Sequence, residues 1–173
     1  MCLIDRWVRH KSKRNYDENG IIAKSGKVNK IILDQLLENF YEKKNISSTG
    51  PIQSFDTKYF DLSFVKDLSL EDGTATLTEF TARIIISALK STDRNKEKIF
   101  LCGGWRKNNF VVKRLNEENR VIKLIDDYGV DGDFVESQAF AYLAIRSYLK
   151  IPISFPTTTG CSEPCTGGVI IKN

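Results

Sequence analysis

Three stretches of this 173-residue chain combine residue types and spacings that chemistry can use. In IFLCGGWRKN, Ile99 to Asn108, four apolar residues run into Gly103 and Gly104, and the amphipathic segment Asn108 to Glu118 follows. The pattern predicts a buried strand feeding a helix through a tight bend. Glycine lacks the Cβ that holds a ligand off the backbone, and the free N–H groups of a helix start favour an anion or a sugar edge. There is neither a Walker lysine nor a second GxG, so the same pattern also reads as a plain tight turn. The second stretch is the acidic turn DDYGVDGD, Asp126 to Asp133, with Glu136 just beyond it. A carboxylate at that place can accept hydrogen bonds from sugar hydroxyls, although a first-turn acid also simply suits the helix dipole. Asp126, Asp127, Asp131 and Asp133 offer oxygens to a cation, but aspartates in turns more commonly serve the turn itself. The third stretch holds Cys161 and Cys165 around Ser-Glu-Pro. A lone CxxxC without a second ligand pair makes a poor zinc site, so no metal is expected. Cys102, in the apolar strand, reads as a small buried hydrophobe. The single histidine, His10, stands in a basic run with no nucleophile motif and is assigned no catalytic role.

Elements that position these residues follow from apolar periodicity. Leu3, Ile4, Trp7 and Val8 fall at helical spacing ahead of the basic run Arg9 to Arg14, which suits a solvated helix end. Tyr16 to Gly26 reads as a loop; its Gly26-Lys27 is not a phosphate loop, since the spacing from Gly20 is wrong and Val28 stands where Ser or Thr should hold magnesium. Val28, Ile31, Ile32, Gln35, Leu36 and Phe40 give a helix with one apolar face. Residues 43–68 read as an irregular surface segment of unusual length. Ser69 with Asp72 makes a capping box for a long helix through Ala75, Leu77, Phe80, Ile84, Ile85, Ala88 and Leu89, ending near Lys90. After a charged connector come the strand Ile99 to Cys102, a helix with Phe110, Val111 and Leu115, a second strand Val121 to Ile125, and a helix from Phe134 to about Leu149. Strand, helix, strand, helix implies a parallel pair and an α/β layer structure with ligands at the carboxyl ends of the strands, where both turns lie. The remainder, residues 151–173, reads as a loop folding back over the strand ends.

Composition bounds the answer. Apolar residues make up 41% and charged residues 28%, as in ordinary globular domains. The net charge of +4, from 26 basic and 22 acidic side chains, is too small for a nucleic-acid footprint. No apolar run reaches the length that spans a bilayer, and Met1 to Val8 is too short and too charged for a signal peptide. The expectation is one domain or part of one, in a reducing cytoplasm, with neither nucleic acid nor membrane as partner.

Taken together, CLIDRWVRHKSKRNYDENGIIAKSGKVN, LSLEDGTATLTEFTARII, LCGGWRKN and VDGDFVESQAFAYLAIRSYLKIPISFPTTTGCSEPCTGG resemble the C-terminal half of the anhydro-N-acetylmuramic acid kinase family. The resemblance covers nearly the whole chain and is weakest over residues 43–68. It implies the sugar-kinase, heat-shock-chaperone and actin superfamily, in which two ribonuclease-H-like domains close on ATP. The fold expected of 1–173 is an incomplete C-terminal domain: a helical start (1–42), an irregular segment (43–68), a nucleotide-side core (69–150) and a C-terminal loop (151–173). The implied reaction uses ATP, with magnesium, and water to open the anhydro bridge of 1,6-anhydro-N-acetylmuramic acid and phosphorylate O6, in cell-wall recycling.

Carried over by residue, the resemblance implies that Gly103, Gly104 and Asn108 line the nucleotide side of the cleft, that Glu136 faces the anhydro sugar, and that Asp133 supports the same site. Trp105 replaces a third glycine and would crowd the nucleotide or stack on it. The STGPIQSF stretch lacks the basic residue the family often places near its active site. The family's DTGPGN-type motif, with its expected general base, and its MSGTSxDG-type phosphate loop match nothing in the 173 residues, so no catalytic residue is expected on this chain and it is read as a truncated, inactive fragment. The implied partners are the anhydro sugar and either a separate N-terminal half or a second copy of the chain, because an incomplete sheet leaves an edge and an apolar face uncovered. A non-catalytic nucleotide- or sugar-binding interaction module is the alternative.

Overall fold

A computed structural model describes residues 2–47, 60–90, 98–117, 122–169 and 171. The element order is α1 (Cys2–Lys11), α2 (Ile21–Ser25), α3 (Lys30–Ser47), α4 (Leu70–Lys90), β1 (Ile99–Leu101), α5 (Asn109–Asn116), β2 (Ile122–Leu124), α6 (Val135–Tyr148) and α7 (Pro156–Thr159). The fold is α/β, with helices packed on two parallel strands.

The spine is α4. Residues 73–80 are buried without a break, so this half of the helix is enclosed on every side. Its N-terminal half packs against α1, α2 and α3 around Trp7, Val8, Leu33, Leu36, Phe40, Val65, Leu77 and Phe80. Its later residues Ala82 and Ile86 join Val111, Leu115 and Ile122, the core beneath the strands. Threonine is tolerated inside such a helix because the hydroxyls of Thr74 and Thr76 donate to the carbonyls four residues back, at 2.6 and 2.7 Å. Gly73 is required by the fully buried Trp7, whose ring atoms lie 2.4 Å from where a Cβ would stand. The Trp7 indole N–H donates to Leu70 O at 3.1 Å. The N-terminal cap is as expected at one end, Asp72 N–H donating to Ser69 Oγ at 3.0 Å.

The strands pair in parallel with Ile99 opposite Ile122 and Leu101 opposite Leu124. One sheet face meets the α4–α5 core through Ile99, Leu101 and Ile122. The other carries Phe100, which is exposed and meets Tyr128 edge to face at 4.9 Å.

Several expectations are corrected. Cys102 is exposed, because alternation along the strand places it on the open face with Phe100. Ile31 is 73% exposed, and Leu33 is buried in its place, since the stripe through Leu33, Leu36 and Phe40 leaves Ile31 on the far side of α3. The Tyr16 to Gly26 loop contains α2, capped at long range by Asp17, whose carboxylate accepts from Ile22 N–H (2.7 Å) and Ala23 N–H (3.1 Å). The segment read as irregular is helical to Ser47 and has a 3-10 turn at Ser63–Val65; its residues 48–59, with STGPIQSF among them, lie outside the described residues, as do 91–97 of the charged connector. The C-terminal loop holds α7 and is pinned by an antiparallel bridge between Ser154 and Cys165.

Candidate functional site

The turn after β1 is built by glycine conformation and a side-chain cap. Gly103 has φ +68°, a left-handed backbone that side chains strain, and opens a 3-10 turn over Gly103–Lys107. Asn108 then caps α5: its Oδ1 accepts from the N–H groups of Phe110 and Val111, both at 3.1 Å. The residue is 1% exposed, and its Nδ2 has no hydrogen-bond partner among the described residues. Gly20, with φ +73°, backs onto this cap; a Cβ there would stand 2.4 Å from Asn108 Oδ1. Trp105 is partly buried against the core of Val111 and Leu115. Its ring therefore serves the core and does not line the cleft described next.

A cleft of 520 Å³ lies between α1, the loop before α2 and the turn after β1, with Asp5, Arg9, Asn19, Gly104, Lys107 and Asn108 among its lining. Arg9 and Lys107 supply positive charge, Gly104 supplies open backbone, and Asn108 contributes an amide whose donor is unused. Burial pushes the Asp5 carboxyl up, with Asp17 adding to the rise and Arg9 opposing it. Its Oδ1 has no hydrogen-bond partner among the described residues. Three acids, Asp5, Asp17 and Glu18, also line the cleft against Arg9 and Lys107, so with the open backbone at Gly104 and the Asn108 amide its wall is a mixed polar surface that suits a hydroxyl-bearing ligand.

Behind the cleft, the two turns at the carboxyl ends of the strands are joined by Arg106. Its side chain is 7% exposed, and its Nε and Nη2 grip Asp126 at 2.7 and 3.1 Å. Nη1 donates to Asp133 Oδ1 at 2.7 Å and to Gly103 O at 2.9 Å, while Asp131 lies 3.7 Å from Nη2. Lys107 Nζ meets the other Asp133 oxygen at 2.6 Å. The backbones also meet directly, Gly103 N–H donating to Gly132 O at 2.8 Å. Gly132 has no room for a Cβ, which would come within 2.5 Å of Arg106 Nε. Hydrogen bonds from Arg106 and then Lys107 hold the Asp133 carboxyl well below the usual carboxylate range, and Asp126 is lowered by the same guanidinium.

Gly104 and Asn108 thus line one cleft, Gly103 forms its turn, and Asp133 sits one ion pair away through Lys107. Glu136 is exposed in the first turn of α6, does not line that cleft, and makes no ion pair among the described residues. Three of the four turn aspartates face Arg106, so their charge is met by a guanidinium. Sequence reasoning missed Arg106, Asp5, Arg9 and Asn19. The available signal was charge complementarity: Arg106 and Lys107 follow the glycines, and the acidic turn follows the next strand. No trio of His, Cys, Asp or Glu among the described residues is grouped to hold a metal ion.

Among the described residues, two parallel strands in an α/β core carry a glycine turn and a polar cleft at their carboxyl end, the place where α/β sheets bind ligands. The model of the family described as anhydro-N-acetylmuramic acid kinase matches residues 1–173. Curated proteins of that name are similar throughout: one from Pelagibacter ubique is 50% identical over 179 aligned residues, covering 99% of this chain and 47% of the relative. Those from Zymomonas mobilis and Caulobacter vibrioides are 38% and 36% identical, covering 97% and 98% of this chain and 45% and 44% of theirs. The chain belongs to the anhydro-N-acetylmuramic acid kinase family, and it spans about half the length of these relatives.

Proposed function

We propose that this chain is the nucleotide-side, C-terminal portion of an anhydro-N-acetylmuramic acid kinase, with an incomplete ribonuclease-H-like domain, and that it does not turn over alone. The observation that carries the reading is the cleft itself, where Gly104, Lys107, Arg9 and the unpartnered Asn108 amide meet beside a family-type glycine turn. The open backbone at Gly104 and the Asn108 donor are the groups that would take the nucleotide. Arg9 and Lys107 would meet its phosphates, and magnesium would arrive with them. Glu136 would receive the anhydro sugar from the far side of the acidic turn, with Asp133 holding that turn through Arg106.

Phosphoryl transfer depends on a phosphate clamp and a base positioned together. Neither the DTGPGN-type base nor the MSGTSxDG-type phosphate loop is matched in the sequence, and in this reading both are supplied from outside the 173 residues. Support comes from α6, none of whose 14 residues is buried although Phe140, Ala141, Tyr142, Ile145 and Tyr148 are apolar or aromatic. With the open sheet face at Phe100, it offers the surface that a complementary half, or a second copy, would cover. No described helix is long and apolar enough to cross a membrane, and cell-wall recycling places the proposed activity in the cytoplasm.

The test is titration of the chain with magnesium ADP while backbone amide resonances are followed. Saturable shifts centred on Gly103, Gly104 and Asn108 are expected. Shifts confined to other surfaces, or none at millimolar ADP, would reject the nucleotide wall. If ADP binds but no complementary half restores turnover, the non-catalytic binding module is the better description.

A further inference from the structure

We infer that Arg106 is a positioning residue that makes the turn after β1 and the turn before α6 a single mechanical unit, so that a ligand held at Gly104 and Asn108 fixes the position of Glu136. The geometry is specific to a guanidinium. One side chain addresses Asp126 through two nitrogens, Asp133 through a third contact and the Gly103 carbonyl with the same Nη1, reaching both turns from within the protein. Arginine's planar fork can make these contacts together, whereas a lysine ammonium can meet only part of the set. Two backbone features fit turns that stay in contact. Gly132 is bare where any side chain would strike the guanidinium, and Gly103 N–H is spent on Gly132 O. Phe134 N–H donates to Asp131 O, and Gln138 N–H to Phe134 O, which carries the clamped turn into the first turn of α6. Asp133 Oδ2 returns through Lys107 to the cleft lining. Movement of the glycine turn therefore moves the start of α6 with it.

The link to catalysis rests on the kinase reading above, but the mechanical coupling does not. The experiment uses the whole chain and the variants Arg106→Met, Arg106→Lys and Asp126→Asn, with amide hydrogen exchange measured first without ligand. Exchange at Gly103 and at Gly132, Phe134 and Gln138 is expected to rise together, by roughly tenfold for loss of a charged hydrogen-bond set, while Gly73 in α4 stays as in the parent. If Arg106→Met fails to fold, Arg106→Lys and Asp126→Asn decide the matter. A rise at Gly103 alone, with the acidic turn and α6 unchanged in all folded variants, overturns the inference. Magnesium ADP is the second probe. Weaker binding in Arg106→Lys at an unchanged melting temperature supports positioning, because a purely structural loss would lower both. Parent-like ADP affinity in a variant whose turns exchange faster overturns the ligand half of the inference. Failure of the parent itself to bind ADP counts against the nucleotide reading, and the exchange result still decides the coupling.

Discussion

Gly20 and Asn108 touch across the seam between the loop before α2 and the turn that opens α5, and a double-mutant cycle on them reads how firmly the cleft is built. Gly20→Ala places a methyl group 2.4 Å from Asn108 Oδ1 and 3.1 Å from Phe110 Cβ, on a backbone with φ +73°. The left-handed backbone costs an alanine about 1–2 kcal/mol. Displacing Oδ1 from the two amides it caps costs about 1 kcal/mol more, the usual value of an N-cap. The sum of about 2–3 kcal/mol corresponds to a fall in melting temperature of roughly 5–10 °C for a chain of this size. Asn108→Ala alone removes the cap and costs about 1 kcal/mol. In the Asn108→Ala background, Gly20→Ala meets no cap oxygen, so it should cost only the backbone contribution of about 1–2 kcal/mol. Urea unfolding of the parent, both single variants and the double variant gives the coupling, expected near 1 kcal/mol. Additivity within about 0.3 kcal/mol would refute the contact as the reason for glycine at position 20.

Two further outcomes are expected. Glu79 is pushed up by burial but held below its ordinary range by hydrogen bonds from Arg114, which ties α4 to α5, and from Arg83 one turn along α4, at 2.8 Å each. The unfolded chain then binds more protons than the folded one, so this stabilisation is present above the unfolded glutamate value near ~4.3 and is lost as pH falls through the lower folded value. Glu79→Gln should therefore melt earlier than the parent at pH 7, with the gap closing toward pH 3; a gap independent of pH would remove the ion pairs as its cause. The exposed apolar residues of α6 should drive association of the isolated chain, and Phe140→Ser with Tyr148→Ser, at positions 64% and 70% exposed, should shift sedimentation toward monomer. A parent that sediments as a monomer at high concentration and melts cooperatively at high temperature would contradict the uncovered face.

What could be read in advance was local. The strand into Gly103 and Gly104, the parallel partner at Ile122–Leu124 and the long α4 were legible because apolar residues there repeat at the period of the element they form. Errors arose where a distant partner decides. Asp17 caps α2 from five and six residues away, turning an apparent loop into helix. Cys102 looked buried because its neighbours are apolar, but a strand has two faces, and the one it shares with Phe100, which Tyr128 meets edge to face, leaves Cys102 exposed. Arg106 carried no local signal, because the carboxylates it meets lie 20 and 27 positions further on. Glycine and turn signals marked the strand-to-helix bend, whereas Asp5, Arg9 and Asn19 on the other side of the cleft and the Arg106 clamp became visible only in three dimensions.

The chain is proposed to carry the nucleotide wall of a family kinase and not to turn over alone. The most direct measurement incubates the purified chain with magnesium ATP and 1,6-anhydro-N-acetylmuramic acid and assays for N-acetylmuramic acid 6-phosphate, with and without the N-terminal half of a family member. No product from the chain alone and product on adding the complementary half is the predicted result. Robust turnover by the chain alone would contradict it.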